Sequence, residues 1–171
     1  MPKESVYIDA CAWIAHYKPT EKLTDEQRTS LTRLFDRVAR GEVIAVGSTL
    51  IYIEVLTVSV KEIQSAFDGR RGLLVAADEA MTIKARELQQ KCYDSGKKIL
   101  SNFDAVHLAT AAAMGCKKFI TLDRVPKNGQ LAPIDSRKML ERFLGLKILD
   151  PAEIDDQKVL DFSPPSGPEG P

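Results

Sequence analysis

The chain has 171 residues, 44% of them hydrophobic and 28% charged, which suits one globular domain with room for a sizeable core. Its 24 Lys and Arg balance 24 Asp and Glu, so a broadly basic nucleic-acid footprint is excluded, and any hold on phosphates must come from local patches or metal ions. Cys11, Cys92 and Cys116 are widely spaced, with no C-x-x-C; this argues against a disulfide framework or a zinc site and fits reduced thiols in a cytoplasmic protein.

The opening MPKESVYIDA has no apolar signal core. Val6, Tyr7 and Ile8 form a short apolar strand, and Asp9 follows at once. Residues 10–17 (ACAWIAHY) read as a first helix stopped by Pro19. Residues 24–40 are the clearest helix: Thr24 and Gln27 make a capping box, Leu31, Leu34, Phe35 and Val38 recur at helical spacing, and Gly41 ends it. Residues 43–46 are the second strand.

Residues 48–60 are ambiguous. Ile51, Ile53 and Val55 alternate as a strand would, while the length and the start after Gly47 and Ser48 favour a helix. Gly47, Ser48, Thr49, Glu54, Thr57 and Ser59 break up the most apolar window, residues 43–60, so no membrane span is expected. Glu54 stands alone among Ile53, Val55 and Leu56, either on an exposed face or with a chemical purpose.

Residues 61–67 continue as helix, and Asp68-Gly69 turns the chain. Residues 73–77 are a strand candidate. Asp78 caps a helix over residues 79–94 whose Met81, Ala85, Leu88 and Cys92 stripe is ordinary core. Ser95-Gly96 ends it, and Ile99-Leu100 is a short strand leading to residues 101–123, SNFDAVHLATAAAMGCKKFITLD. There Ser101 and Asp104 form a capping box, and the small residues after Phe103 predict close packing. Gly115 takes the left-handed stop, and Phe119, Ile120 and Leu122 run to Asp123. Asp104 alone is equally a plain helix cap. Asp123, a carboxylate where a buried strand stops, needs water, a cation or a hydrogen bond to receive it.

Residues 124–133 are a polar loop with Pro126, Asn128-Gly129 and Pro133. Asp135 or Ser136 caps a helix to about Phe143, Gly145 ends it, and residues 146–149 are the last strand. Asp-Pro, Pro-Pro and Gly-Pro pairs follow. The expected organisation is one domain over 1–150 and a Pro/Gly-rich tail over 151–171, disordered beyond about residue 160.

Strands alternating with helices predict a three-layer α/β/α sandwich with a central, mostly parallel sheet. Ligands bind such folds beyond the carboxyl ends of the strands, where Asp9 and Asp123 fall; Asp104, at a helix start, can join them. Should Asp9, Glu54, Asp104 and Asp123 meet, like charges would require a cation, and all-oxygen ligation favours Mg²⁺ or Mn²⁺. The chain has no HExxH, GxxxxGK[ST], GxSxG or DxD. Attack of metal-activated water on a phosphodiester is then the natural chemistry. Composition and spacing permit a nuclease without singling it out.

Four patterns in order, VYIDACAWIA, STLIYIEVL, NFDAVHLATAAAMG and FITLDR, resemble the PIN domain family, close to the VapC-type ribonuclease toxins, over about residues 5–150. The resemblance implies a metal-dependent endoribonuclease acting on single-stranded or looped RNA. It implies that Asp9, Glu54, Asp104 and Asp123 hold Mg²⁺ or Mn²⁺, with Glu54 on a helix facing the cleft. Thr121 matches the family's small hydroxyl residue two before the last aspartate; on a strand the two share a face, and its hydroxyl can orient the carboxylates. A toxin further implies a cognate antitoxin, and the family implies a homodimer. The rival expectations are an RNA-processing nuclease of the same fold without an antitoxin, and a binding module that has lost catalysis. The polar loop over 124–133 is longer than is common in the family, and the tail falls outside its pattern.

Among other residues, His107 reads as packing in or beside the site rather than as a general base, His16 as surface or packing, and Trp13 as core, although an exposed Trp could stack a base. The basic pairs Arg70-Arg71, Lys97-Lys98 and Lys117-Lys118, with Arg124 and Lys127, read as solvated surface. Arg124, beside Asp123, is the candidate to rim an acidic cleft.

Overall fold

The computed structural model describes residues 3–19, 22–125 and 130–154. Five strands form one parallel sheet: β1 (Glu4–Ile8), β2 (Val43–Ser48), β3 (Gly72–Val75), β4 (Lys118–Ile120) and β5 (Lys147–Leu149), in the order β3-β2-β1-β4-β5. The helices are α1 (Ala10–Tyr17), α2 (Asp25–Ala39), α3 (Ile51–Glu54), α4 (Val60–Ala66), α5 (Glu79–Asp94), α6 (Asn102–Ala113) and α7 (Arg137–Leu144).

Alternation along β1 shows how the layers arise. Val6 and Ile8 join a core with Trp13, Leu31, Leu34 and Phe35 from α1 and α2, and with Ile63 from α4. Tyr7, pointing the other way, joins Leu88, Cys92, Leu108 and Leu140 from α5, α6 and α7. Helices therefore cover both faces of a parallel sheet, the expected α/β/α sandwich. No described helix is long and apolar enough to cross a membrane.

Local signals hold at most ends. Thr24 and Gln27 form the expected capping box of α2, and Asp78 caps α5. Gly115 has φ +68° after α6, a conformation costly for any residue with a Cβ. Gly72 answers a different need: a Cβ there would lie 2.6 Å from the Ala66 carbonyl oxygen and 2.8 Å from the Phe67 ring.

Three stretches differ from expectation. Residues 48–67 are neither one strand nor one helix: α3 ends at Glu54, Val55 leaves helical geometry, and a second capping box between Ser59 and Glu62 starts α4. The β-branched Val55, Thr57 and Val58 disfavour a continuous helix, and the S-x-x-E signal marks the restart. Ile99-Leu100 does not join the sheet. Leu100 makes a single parallel bridge to Leu131, and its carbonyl accepts the Gln89 side-chain amide at 3.0 Å. Ser136 precedes α7 without a side-chain cap bond.

Packing continues past residue 150: Pro151–Glu153 form a 3-10 turn, and Ile154 is buried in the α2 side of the core. The expected disorder beyond about residue 160, the Asn128-Gly129 turn and Lys127 lie outside the described residues.

Candidate active site

The strand order runs from β1 outward to β3 in one direction and through β4 to β5 in the other. The crevice between β1 and β4 is thus the topological switch point, where α/β sheets bind ligands beyond their carboxyl ends. Asp9 follows β1, and Thr121 and Asp123 follow β4. A cleft of about 430 Å³ opens there, lined by Asp9, Glu54, Asp104 and Asp123 together with Cys11, Ser101 and the apolar Ile14, Phe103, Leu122 and Leu131. All four carboxylates singled out in the sequence line this one cavity.

Asp9 is 5% exposed. Its amide donates to the Ile120 carbonyl at 3.0 Å, carrying the ladder one step past the strand. It is also the N-cap of α1: Oδ1 accepts the Ala10 amide at 2.9 Å. Oδ2 accepts the Thr121 hydroxyl at 2.7 Å and the Cys11 thiol at 3.0 Å. Thr121 is fully buried, and its Oγ1 also accepts the Asp123 amide at 3.1 Å. One hydroxyl thus ties Asp9 to the backbone of Asp123.

Cys11 was not singled out in the sequence, and its contacts explain why. Its sulfur accepts the Leu122 amide at 3.1 Å and lies 3.2 Å from the Thr121 hydroxyl, contacts more than a hundred residues away along the chain. Burial pushes its thiol pKa well up, and the Asp9 charge adds to that. It is a neutral thiol that shapes the Asp9 carboxylate, not a nucleophile.

Glu54 ends α3, on a helix and facing the cleft. Its Oε2 lies 2.5 Å from Nε2 of His107. His107 is 2% exposed, with Nδ1 2.6 Å from the Tyr7 hydroxyl and Nε2 3.9 Å from Asp9 Oδ1. Burial opposes its charge, but the Glu54 hydrogen bond and the charges of Asp9, Glu54 and Asp104 outweigh that and raise its pKa. The expected packing beside the site is correct for position, and the structure adds a charge-assisted bond to Glu54.

Asp104 sits in the first turn of α6. Its amide donates to Ser101 Oγ at 3.0 Å, and its Oδ2 accepts the Ser101 hydroxyl at 2.7 Å. The carboxylate thus binds the cap hydroxyl instead of reaching back to the cap's amide. Its pKa is raised to about 6, mainly by burial; the Ser101 bond lowers it, and the charges of Asp9 and Asp123 raise it further. Among the described residues, no three His, Cys, Asp or Glu side chains converge as a ready-made metal cage. The donor set nonetheless fits a hard divalent cation: it is all oxygen, and at Asp104 burial and neighbouring negative charge both disfavour the ionised form.

Other residues fall away from the cleft. Trp13 is fully buried, and His16 stacks on Phe35 at 3.8 Å between ring centroids. Arg71 pairs with Asp68 and Lys118 with Glu4. Arg124 does not line the cavity. Its guanidinium binds the buried Asp150, Nε at 2.9 Å and one terminal nitrogen at 2.8 Å.

Comparison with known proteins agrees with this fold. The model of the family described as PIN domain matches residues 6–129, more than half of the chain. No curated protein matches in sequence. Among solved structures, VapBC2 from Rickettsia felis bound to a DNA fragment from its promoter is similar at 18% identity and TM-score 0.53, over 85% of this chain and 98% of that one. FitAcB from Neisseria gonorrhoeae is similar at 14% identity and TM-score 0.55, over 87% and 99%. FitAB bound to an IR36 DNA fragment gives 13% identity and TM-score 0.54, over 88% and 97%.

Proposed function

The chain belongs to the PIN domain family, and we propose on that footing that it is a Mg²⁺- or Mn²⁺-dependent endoribonuclease, the toxin of a type II toxin–antitoxin pair. The observation that carries this reading is that Asp9, Glu54, Asp104 and Asp123 all line one cleft at the switch point of the sheet. Asp9, Asp104 and Asp123 would be the main ligands, and Glu54 would bind a second ion or position water. A hard divalent cation bound there would supply Lewis acidity and a lowered pKa for a water attacking an RNA phosphodiester.

The protein's own part is preorganisation. Thr121 and Cys11 fix the orientation of Asp9, and Thr121 spaces Asp9 from Asp123. His107 holds Glu54. Phe103, 43% exposed on the cleft wall, offers a face on which an unpaired base can stack, whereas Trp13 is too buried to do so. The similarity to VapBC2 and to FitAB complexes supports an antitoxin as partner. A homodimer and a cytoplasmic location complete the reading, the latter in keeping with three free cysteines.

The test is cleavage of a mixed RNA pool by the wild type and by Asp104→Asn, each with Mg²⁺, Mn²⁺ or EDTA. Asparagine keeps the size and can still receive the Ser101 hydroxyl. Metal-dependent cleavage that disappears in the variant is the expected result. Cleavage that persists in EDTA, or equally in the variant, overturns the carboxylate mechanism. A metal-dependent nuclease that captures no partner from cells of its own source would favour an RNA-processing enzyme over a toxin.

A further inference from the structure

Asp150 is fully buried outside the cleft, at the point where three segments meet. It accepts the Gln27 side-chain amide at 3.0 Å on both oxygens, the Ala152 amide at 2.9 Å on Oδ1, and the Arg124 fork on Oδ2. The other end of the Gln27 amide is spent as well, because its Oε1 accepts the Thr24 amide at 3.0 Å in the α2 capping box. The carboxylate is thus ringed by donors from α2, from the 3-10 turn and from the segment that follows β4.

Its connection to the cleft runs through the backbone. β4 and β5 pair as far as Ile120 and Leu149, and the Thr121 amide adds one more bond to the Leu149 carbonyl at 3.1 Å. Beyond that step the tie between the two segments passes to side chains: Arg124 reaches Asp150, the residue after Leu149. Asp123 lies between these two ties. Its amide is held by Thr121 Oγ1, and its carbonyl accepts the Ile134 amide at 3.1 Å.

An ion pair with one half-exposed partner is a poor device for stability alone, since solvent screens it. It is a good device for orientation, because two guanidinium nitrogens converge on one oxygen of a carboxylate that Gln27 and the Ala152 amide already hold in place. We propose that Asp150 is a positioning residue of the cleft: through Arg124 it fixes the backbone at Asp123 and so sets where that carboxylate points. The link to ion binding rests on the nuclease reading; the brace itself does not.

The experiment compares the wild type with Asp150→Asn and Arg124→Gln in two measurements made well below each protein's unfolding temperature. The first is amide hydrogen exchange at Asp123, referenced to Asp9, whose amide donates to Ile120 on the far side of the crevice. The second is calorimetric titration with Mn²⁺ alone. Exchange at Asp123 should rise by at least about tenfold in both variants while Asp9 keeps its wild-type rate, as expected for loss of a charge-assisted hydrogen bond. The Mn²⁺ Kd should rise roughly tenfold or more, the usual cost of losing a group that orients a ligand. Should Asp150→Asn fail to fold, Arg124→Gln decides alone, because that side chain is half exposed. Unchanged exchange at Asp123, or equal acceleration at Asp9 and Asp123, overturns the brace. Faster exchange with an unchanged Kd overturns its link to the cleft. A wild type that binds no Mn²⁺ removes the nuclease reading and leaves the exchange arm to decide the brace.

Discussion

His107 and Glu54 meet Nε2 to Oε2 at 2.5 Å, joining α6 to the end of α3 beneath the cleft. The imidazole is buried and its second nitrogen is taken by Tyr7, so it has one place to stand. Replacing His107 with Leu should cost about 1–3 kcal/mol, because the Tyr7 hydroxyl is then left buried without this partner. For a chain of this size, a fall in Tm of roughly 2–4 °C per kcal/mol would report it. The raised His107 pKa adds a pH signature in metal-free protein. Its contribution is complete below the unfolded value near 6.5 and fades as pH rises through the folded value, so the penalty of His107→Leu should shrink at alkaline pH.

Asp104 has the opposite sign. Its pKa is about 6 in the folded protein against 3.8 as the ordinary value, so folding favours its protonated form. The resulting penalty is absent below about pH 4, grows between pH 4 and 6 and is complete above. Asp104→Asn should therefore stabilise the metal-free protein at pH 7, by on the order of 2–3 kcal/mol. The gain should vanish near pH 4. Denaturant melts in EDTA across this range measure it, and a destabilised variant at pH 7 would contradict the electrostatic picture of the cleft.

Thr121 should distinguish hydroxyl from shape. Thr121→Val keeps the volume but removes the bond to Asp9 and the acceptor for the Asp123 amide. A loss of about 1–3 kcal/mol and a weaker Mn²⁺ Kd are expected, with Thr121→Ser retaining most of both. Equal behaviour of the valine and serine variants would leave the hydroxyl without a role.

The three thiols should be silent in the native protein. Burial raises the pKa of Cys11, Cys92 and Cys116, the last to about 11. At pH 8 each is a thiol with little thiolate, so an aromatic disulfide reagent should find almost nothing before denaturation and three groups per chain after it.

Gly72 should tolerate no side chain. Gly72→Ala sets a methyl group against the Ala66 carbonyl and the Phe67 ring, at distances that force β3 or α4 to move. A destabilisation of about 1–3 kcal/mol is expected in a denaturant titration.

The sequence discloses what is local. Asp9 after an apolar strand, the Thr24–Gln27 box and the helix start at Ser101 are each written within a few residues, and each stands in the structure. What is not local stays hidden. Nothing near residue 118 says that β4 lies against β1, yet that pairing makes the crevice. The partner of His107 is 53 residues away, and the Thr121 contact of Cys11 spans 110. Arg124 reads as solvated surface and, because it adjoins Asp123, as the candidate for the rim; a buried carboxylate 26 residues later claims it instead. The break after Glu54 was legible in principle, in the Ser59–Glu62 box, but the alternation of Ile51, Ile53 and Val55 masked it.

The strand order has a consequence for the order in which the cleft comes into being. Asp9 and Glu54 lie in the half of the chain that ends with α5, and Asp104 and Asp123 in the half that follows. The two halves meet where β4 pairs with β1. A chain emerging from the ribosome therefore carries only two of the four cleft carboxylates until α6 and β4 have left the exit, and neither part alone encloses the cavity. Cutting the turn between α5 and α6 would divide the site two against two. A cleft built this way waits for the later strands of the sheet.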